Sequence, residues 1–201
     1  YTLLATTEAF FANHWLQLDL PYESLRDFLL VSPLGRSESI LTVHPSIPPR
    51  NLKEFIAYAK ANPGKLNVAV TSAVGVLHLS KFTSETGTNF TIVQYKGGAP
   101  AMADHLSGTV QFVILNALNV MPQIKAGKLI GLAISGDKRD PEFPDMPTFA
   151  EGGAKTFSPG GPAQYPLFAP SKTPRDVAEK LNTLVRRAQE NPQVLAVMAK
   201  I

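Results

Sequence analysis

The 201-residue chain is 44% hydrophobic and 17% charged, the balance of a globular protein of one or two domains that is long enough to bury a real core. Its 19 Lys+Arg exceed its 16 Asp+Glu by only three, and no run of five or six like charges occurs, so nucleic-acid binding has little electrostatic support. With no cysteine, disulfides, thiolate zinc sites and cysteine nucleophiles are excluded, and no apolar run approaches the ~20 residues of a membrane span.

Tyr1–Ala5 reads as a strand. Thr6–Ala9 reads as a loop that opens a short helix around Phe10–Leu16, and Leu20–Asp27 as turns. Because the chain opens inside a strand with no leader before it, an upstream segment is expected. Phe28–Leu34 and Ser39–His44 are strand-like, and the proline-rich HPSIPPR breaks the pattern. The clearest helix follows: Asn51 and Glu54 make a capping box, Leu52, Phe55, Ile56 and Ala59 form one apolar face, and Gly64 is the stop.

From Lys65 to Lys128 a strand, a loop and a helix recur three times. LNVAV runs into TSAVG, FTIVQ into YKGGAPA, and VQFVIL into NALN, before a further strand at Leu129–Ser135. The helices are expected after Gly75, Pro100 and Asn116, with glycine stops near Gly87, Gly108 and Gly127. This alternation predicts a mostly parallel sheet whose loops converge at its carboxyl edge, where open α/β folds bind ligands and helix N-termini offer N–H groups to anions. Asp137–Pro170 is rich in proline and glycine and reads as turns with one short helix, then a strand at Tyr165–Ala169. Thr173-Pro174-Arg175-Asp176 predicts a cap with proline at the first helical position, ahead of a helix burying Val177, Leu181, Leu184, Val185 and Ala188 and interrupted at Asn191-Pro192. Residues 39–164 are expected to form one lobe and residues 1–38 with 165–201 another, a hinged pair closing on a ligand. A single continuous sheet is the alternative.

YTLL, LPYESLRDF, LKEFIAYAKANPGKLN, His78-Leu79, YKGGAPAMADHLSG, PQIKAGKL, PDMPTFAEGG and LFAPSKTP, in this order and over nearly the whole chain, resemble the Bug/TctC family of periplasmic solute-binding receptors of tripartite tricarboxylate transporters. The resemblance implies an α/β, two-lobed type II periplasmic binding fold with the first lobe incomplete. It also implies export to the periplasm, capture of a small organic carboxylate, delivery to membrane permease subunits, no cofactor and no catalysis. The family opens with a further strand, glycine-rich loop and helix that this chain does not have. The chain also departs at the site loops. It has Thr6-Thr7-Glu8-Ala9-Phe10 in the first loop, Val70 to Gly75 (VTSAVG) where members carry a motif like GSAGNGS, and Ile114-Leu115-Asn116 where an acid is common.

The residues expected to meet the ligand are Thr6, Thr7, Thr71, Ser72, Gly75, Tyr95, Lys96, Gly97 and Asn116. For most of them a bland reading stands beside the functional one. Thr71 and Ser72 can donate to a carboxylate or merely cap a helix. Lys96-Gly97-Gly98 lacks P-loop spacing and can simply turn the backbone into a helix. Tyr95 can line the cleft or pack, and Asn116 can face a ligand or cap. Glu8 is at odds with an anion site unless the ligand carries an amine, and Arg36 is a surface residue or the missing positive charge. Leu115 and Val74, in place of polar family residues, predict an acid more apolar than citrate, aromatic or short aliphatic. His14, His44, His78 and His105 have no metal-ligand spacing, and His78 reads as a structural hydrogen-bonder. Trp15 and the phenylalanines read as core. Three other readings stand beside the receptor. One is the effector domain of a LysR-type regulator, which needs an upstream helix-turn-helix. Another is an enzyme using Ser72 or His78, for which no paired base or orienting acid is identifiable. The third is a truncated relative that binds nothing and associates through a sheet edge.

Overall fold

The computed structural model describes residues 2–7, 10–11, 19–155, 157 and 163–198. The expectations for Glu8, His14 and Trp15, and for the helix beyond Phe11, lie outside them. The chain divides into two compact units, Tyr1–Arg36 with Ala163–Ile201, and Ser37–Pro162.

In the Ser37–Pro162 unit, β3 (Ser39–Val43) precedes the capping-box helix α1 (Leu52–Ala61). Asn51 Oδ1 accepts from the Glu54 N–H at 3.0 Å, and Glu54 Oε1 accepts from the Asn51 side-chain amide at 2.7 Å. Three strand–helix repeats follow: β4 (Asn67–Val70) and α2 (Ala73–Thr86), β5 (Thr91–Gln94) and α3 (Gly98–Leu106), β6 (Phe112–Asn116) and α4 (Ala117–Lys125). Strand β7 (Ile130–Ile134) closes the unit's sheet. The helices end at the expected glycines; Gly87, for example, caps α2 in the left-handed region at φ 65°. Helices α2 and α3 start earlier than expected, at Ala73 and Gly98, because Ser72 and Gly97 are the N-caps. Gly75 and Pro100 therefore fall inside first turns, where a proline's missing N–H costs nothing.

The five strands run in the order β5-β4-β6-β3-β7. β4 is parallel to both β5 and β6, as expected, whereas β3 is inserted antiparallel between β6 and β7. The sheet is thus mixed. The local relay could not reveal this, because β3 lies ahead of the repeats in the chain and joins them only in the tertiary structure. On β7 the register with β3 skips Leu132, so Leu132 and Ala133 together face one Leu41 neighbourhood as a bulge.

Both faces of the sheet are covered. Leu41, Val43, Val68, Val70 and Phe112 pack on Leu52, Phe55, Leu79 and Phe82 of α1 and α2. Ile40, Ala69 and Val113 pack on Ala101, Ala117, Val120 and Met121 of α3 and α4. Phe112 is fully buried between Phe90 and Phe55, with ring centroids 4.5 and 5.0 Å away. On the second face, fully buried His105 bridges the layers: Nδ1 lies 3.0 Å from the Val110 carbonyl and Nε2 3.0 Å from Thr42 Oγ1. A carbonyl can only accept, so Nδ1 carries the proton and Nε2 accepts from Thr42. The ring is neutral and both nitrogens are satisfied, and burial holds its pKa down at about 4, against the opposing pull of the Val110 carbonyl.

The segment after β7 departs from expectation. In place of a short helix, the described residues between 137 and 155 form turns and one bridge, Ile134 with Thr148. Thr148 and Glu151 do make a capping box: Glu151 Oε2 accepts from the Thr148 N–H at 2.9 Å, and Thr148 Oγ1 from the Glu151 N–H at 3.2 Å. One helical bond follows, Gly152 N–H to the Thr148 carbonyl, and then Gly153 at φ 108° ends the turn. A Cβ on Gly152 would stand 2.7 Å from Cδ2 of the fully buried Leu52. Gly152→Ala is therefore expected to destabilise the chain by about 1–3 kcal/mol through overpacking, measured as a lower urea midpoint with an unchanged slope.

The other unit holds a three-stranded sheet, β1 (Leu4–Ala5), β8 (Ala163–Pro170) and β2 (Phe28–Ser37), in the order β1-β8-β2, with β1 antiparallel to β8. Phe10, Phe11, Tyr22, Phe28 and Phe168 pack ring against ring beside it. Helix α5 (Arg175–Gln189) is followed after Asn191 by α6 (Pro192–Met198). Pro174 occupies the N-cap of α5, one place before the expected first helical position, and makes no side-chain cap. Leu181 and Val185 of α5 pack on Val31, Leu167 and Ala169. Leu184 is 51% exposed and Ala188 is also exposed, against expectation, because α5 covers a small sheet and has no fully buried residue. Among the described residues β2 is the last strand in its sheet. Asn182 Nδ2 donates to its Val31 carbonyl at 2.7 Å, Gln189 Nε2 to its Pro33 carbonyl at 2.8 Å, and Pro33 has no N–H to offer.

Candidate functional site

Because β5, β4 and β6 are adjacent and parallel, their following loops leave the sheet at one edge. The register Val70↔Gln94 puts Tyr95 level with Thr71, and Ala69↔Val113, continued along β6, puts Asn116 level with Ser72. With neighbouring strands ~4.8 Å apart, the three loops begin within roughly 10 Å of one another. Thr71, Ser72, Gly75, Tyr95, Lys96, Gly97 and Asn116 are thus brought to a single rim. Thr6 and Thr7 belong to the other unit, at the end of β1, where the Thr6 N–H donates to the Pro166 carbonyl and the Thr7 carbonyl accepts from Phe10.

The residues at the rim are not equally free to act. Ser72 caps α2, its Oγ accepting from the Gly75 N–H at 3.1 Å, so its hydroxyl hydrogen is what remains to donate. Gly75 has its N–H committed to that cap, and a Cβ there would stand 3.0 Å from Val70 Cγ1. It lets the helix start lie against β4. The N–H groups of Ala73 and Val74, ahead of it in the first turn, have no intrahelical acceptor. Asn116 is the N-cap of α4 but its side chain makes no capping bond, so the ordinary-cap reading is not what is seen. Gly97, the N-cap of α3, sits at φ 140°, a conformation costly to any residue with a Cβ. No atom lies within 4 Å of where a Cβ would stand on Gly97 or Gly98. Lys96 is exposed at this turn.

Tyr95 packs on Ala69, Ala101, Val110 and Val113 while its hydroxyl donates to Asp104 Oδ2 at 2.6 Å. That bond raises the phenol to about 12, with burial and the Asp104 charge adding to it. Leu115 is packed against the α3 and α4 core, so its apolar character is accounted for without a ligand. Val74 is half-buried and belongs to no core cluster. Arg36 is exposed at the end of β2.

Two features of the rim escaped sequence reasoning. Asp104 is read in the sequence only as part of a helix, and Tyr95 nine residues earlier gives no sign of being its partner. Glu38 also stands at this edge, because antiparallel β3 begins where β6 ends. Its carbonyl accepts from the Ala117 N–H at 2.7 Å, its carboxylate accepts from Ser135 Oγ, and that Oγ accepts from the Ser39 N–H at 2.8 Å. The rim therefore carries two carboxylates, Asp104 and Glu38, and one lysine among mainly neutral donors. Among the described residues, no three His, Cys, Asp or Glu side chains gather as a metal site, and no helix is long and apolar enough to cross a membrane.

Two α/β units, one with a mixed sheet and its loops gathered at the carboxyl edge, define the fold of the periplasmic binding proteins. The match to the family described as the tripartite tricarboxylate transporter family receptor covers residues 1–201, and the chain belongs to that family. The family is one of receptors, not of enzymes. Among its relatives is Protein BugT of Bordetella pertussis (strain Tohama I), 32% identical over 205 residues, or 99% of this chain and 62% of BugT. R. palustris Rpa4515, solved with adipate, superposes with a TM-score of 0.89 at 29% identity over 96% of this chain and 65% of that one. MatC (Rpa3494) from Rhodopseudomonas palustris, solved with bound malate, gives 0.85 at 30% identity over 96% and 66%. The chain thus spans somewhat less than two thirds of the length of these relatives.

Proposed function

We propose that the protein carrying this chain is an extracytoplasmic solute-binding receptor, working in the periplasm. It captures a small organic carboxylate and presents it to the membrane permease subunits of a tripartite tricarboxylate transporter. The observation that carries this reading is the convergence of the TSAVG, YKGG and NALN loops on one rim, in a chain whose relatives were solved with adipate and malate. The hydroxyls of Thr71 and Ser72, the N–H groups at the starts of α2 and α3, and Asn116 supply neutral donors suited to a carboxylate. Gly75 and Gly97 shape the two helix starts, Tyr95 backs the second loop, and Lys96 adds a solvated charge. Thr6 and Thr7 enter the proposal on the family likeness alone. Val74 at the rim favours an acid more apolar than citrate.

A thermal-shift and calorimetry panel of adipate, malate, citrate and benzoate tests this. A ligand that binds the folded state alone stabilises it by RT ln(1 + [L]/Kd), about 2.7 kcal/mol at a hundredfold excess over Kd. Adipate is expected to bind more tightly than citrate. Gly97→Ala is expected to weaken binding at least tenfold by forcing a strained φ, while Lys96→Ala costs less than about threefold because that charge is solvated. If no acid in the panel binds, or if Lys96→Ala costs more than Gly97→Ala, the reading fails.

A further inference from the structure

We infer that Tyr95 and Asp104 are positioning residues, a side-chain clamp that holds the Lys96-Gly97-Gly98 turn and the start of α3 in the shape that receives the ligand. The turn has almost no support of its own. Gly97 and Gly98 have no side chains, no atom lies near the place of their missing Cβ atoms, and Gly97 adopts φ 140°. Backbone pairing with β4 ends just ahead of it, where the Tyr95 N–H donates to the Val70 carbonyl at 2.9 Å. What spans the turn is the phenol of Tyr95, which reaches from the end of β5 to Asp104 in the second turn of α3 and closes a charge-assisted bond of 2.6 Å. The Tyr95 side chain also packs against the cluster that Ala101 of the same helix forms with Ala69, Val110 and Val113. Both ends of the turn are therefore tied to each other and to the sheet, which lowers the ordering a ligand must impose when it binds. Asp104 itself is held in place, since its carbonyl accepts from Ser107 Oγ at 3.0 Å and from the Val110 N–H at 3.2 Å.

The inference rests on the carboxylate-binding reading for its affinity readout, and a second readout in the ligand-free protein separates the two. Tyr95→Phe, Asp104→Ala and the double variant are made in the intact protein, with adipate as probe. Each single change is expected to weaken adipate about tenfold, the usual worth of a hydrogen bond to a charged group. The double variant is expected to be no weaker than either single one, because both break the same bond. Asp104→Asn keeps an acceptor oxygen and is expected to stay within about threefold of the parent. Without ligand, amide relaxation of Gly97 and Gly98 is expected to show lower order parameters in Tyr95→Phe and Asp104→Ala but not in Asp104→Asn. Ultraviolet titration should show one of the five tyrosines returning towards pH 10 in Asp104→Ala. Unchanged order parameters, or single effects that add, would overturn the clamp. Lowered order parameters in a protein that binds no acid would sustain the clamp and remove the receptor reading alone.

Discussion

Acidification from pH 7 to pH 4 is expected to remove about 3 kcal/mol of stability through His105 alone. The ring is fully buried and neutral, and its pKa is lowered from 6.5 to about 4. Between those values the unfolded chain takes up a proton that the folded chain refuses. The contribution is therefore complete above pH 6.5 and is lost progressively as pH falls towards 4. Burial is the main cause, and the nearby His44 ring adds to it. Urea midpoints at pH 7, 5.5 and 4 measure the loss. Carboxylates also titrate in this range, so the decisive comparison is with His105→Gln, whose slope between pH 6.5 and 4 should be flatter by up to about 1.4 kcal/mol per unit. Parallel slopes in the two proteins would show that the imidazole carries no such linkage. At neutral pH, Thr42→Val is expected to cost about 1–3 kcal/mol by leaving Nε2 without a donor.

Phe112→Ala is expected to cost about 3–5 kcal/mol, the range for emptying a packed aromatic site. Phe112 stands at the start of β6, contacts Phe55 and Phe90, and pairs with Val43 on one side and Val68 on the other. The cavity would thus open where α1 meets the middle of the sheet, and neither the strand backbones nor the rigid Phe55 can collapse into it. Equilibrium unfolding in urea should show a lower midpoint at similar slope. A loss below 1 kcal/mol would mean that the rings repack.

The sequence showed most clearly what local pattern controls. The capping box at Asn51 and Glu54, the glycine stops and the strand–loop–helix relay need only near neighbours, and all three recur in the structure. The antiparallel insertion of β3 was not legible, because pairing of Ser39–Val43 with both β6 and β7 is a contact across roughly seventy to ninety residues. The box at Thr148 and Glu151 was present in the sequence and still made no helix. Gly152 and Gly153 follow at once, and Leu52 leaves no room for a side chain there. At the rim, sequence reasoning identified the loops but not the partners: Asp104 and Glu38 act through tertiary contacts that no spacing announces. Leu115 was read as a sign of an apolar ligand, whereas its place in the alternation of β6 already pointed it towards the α3–α4 layer.

The amides that Asn182 and Gln189 lend to Val31 and Pro33 do more than hold α5 in place. A strand at the margin of its sheet is a template on which a foreign or identical polypeptide can lie down and propagate fibrils. Here the carbonyls of Val31, Pro33 and Leu34 are already occupied and Pro33 has no hydrogen to give, so β2 is a poor seed for such growth. Unmasking it, as in an Asn182→Ala/Gln189→Ala protein, would convert a quiet boundary into an adhesive one, visible as turbidity at concentrations where the parent remains clear.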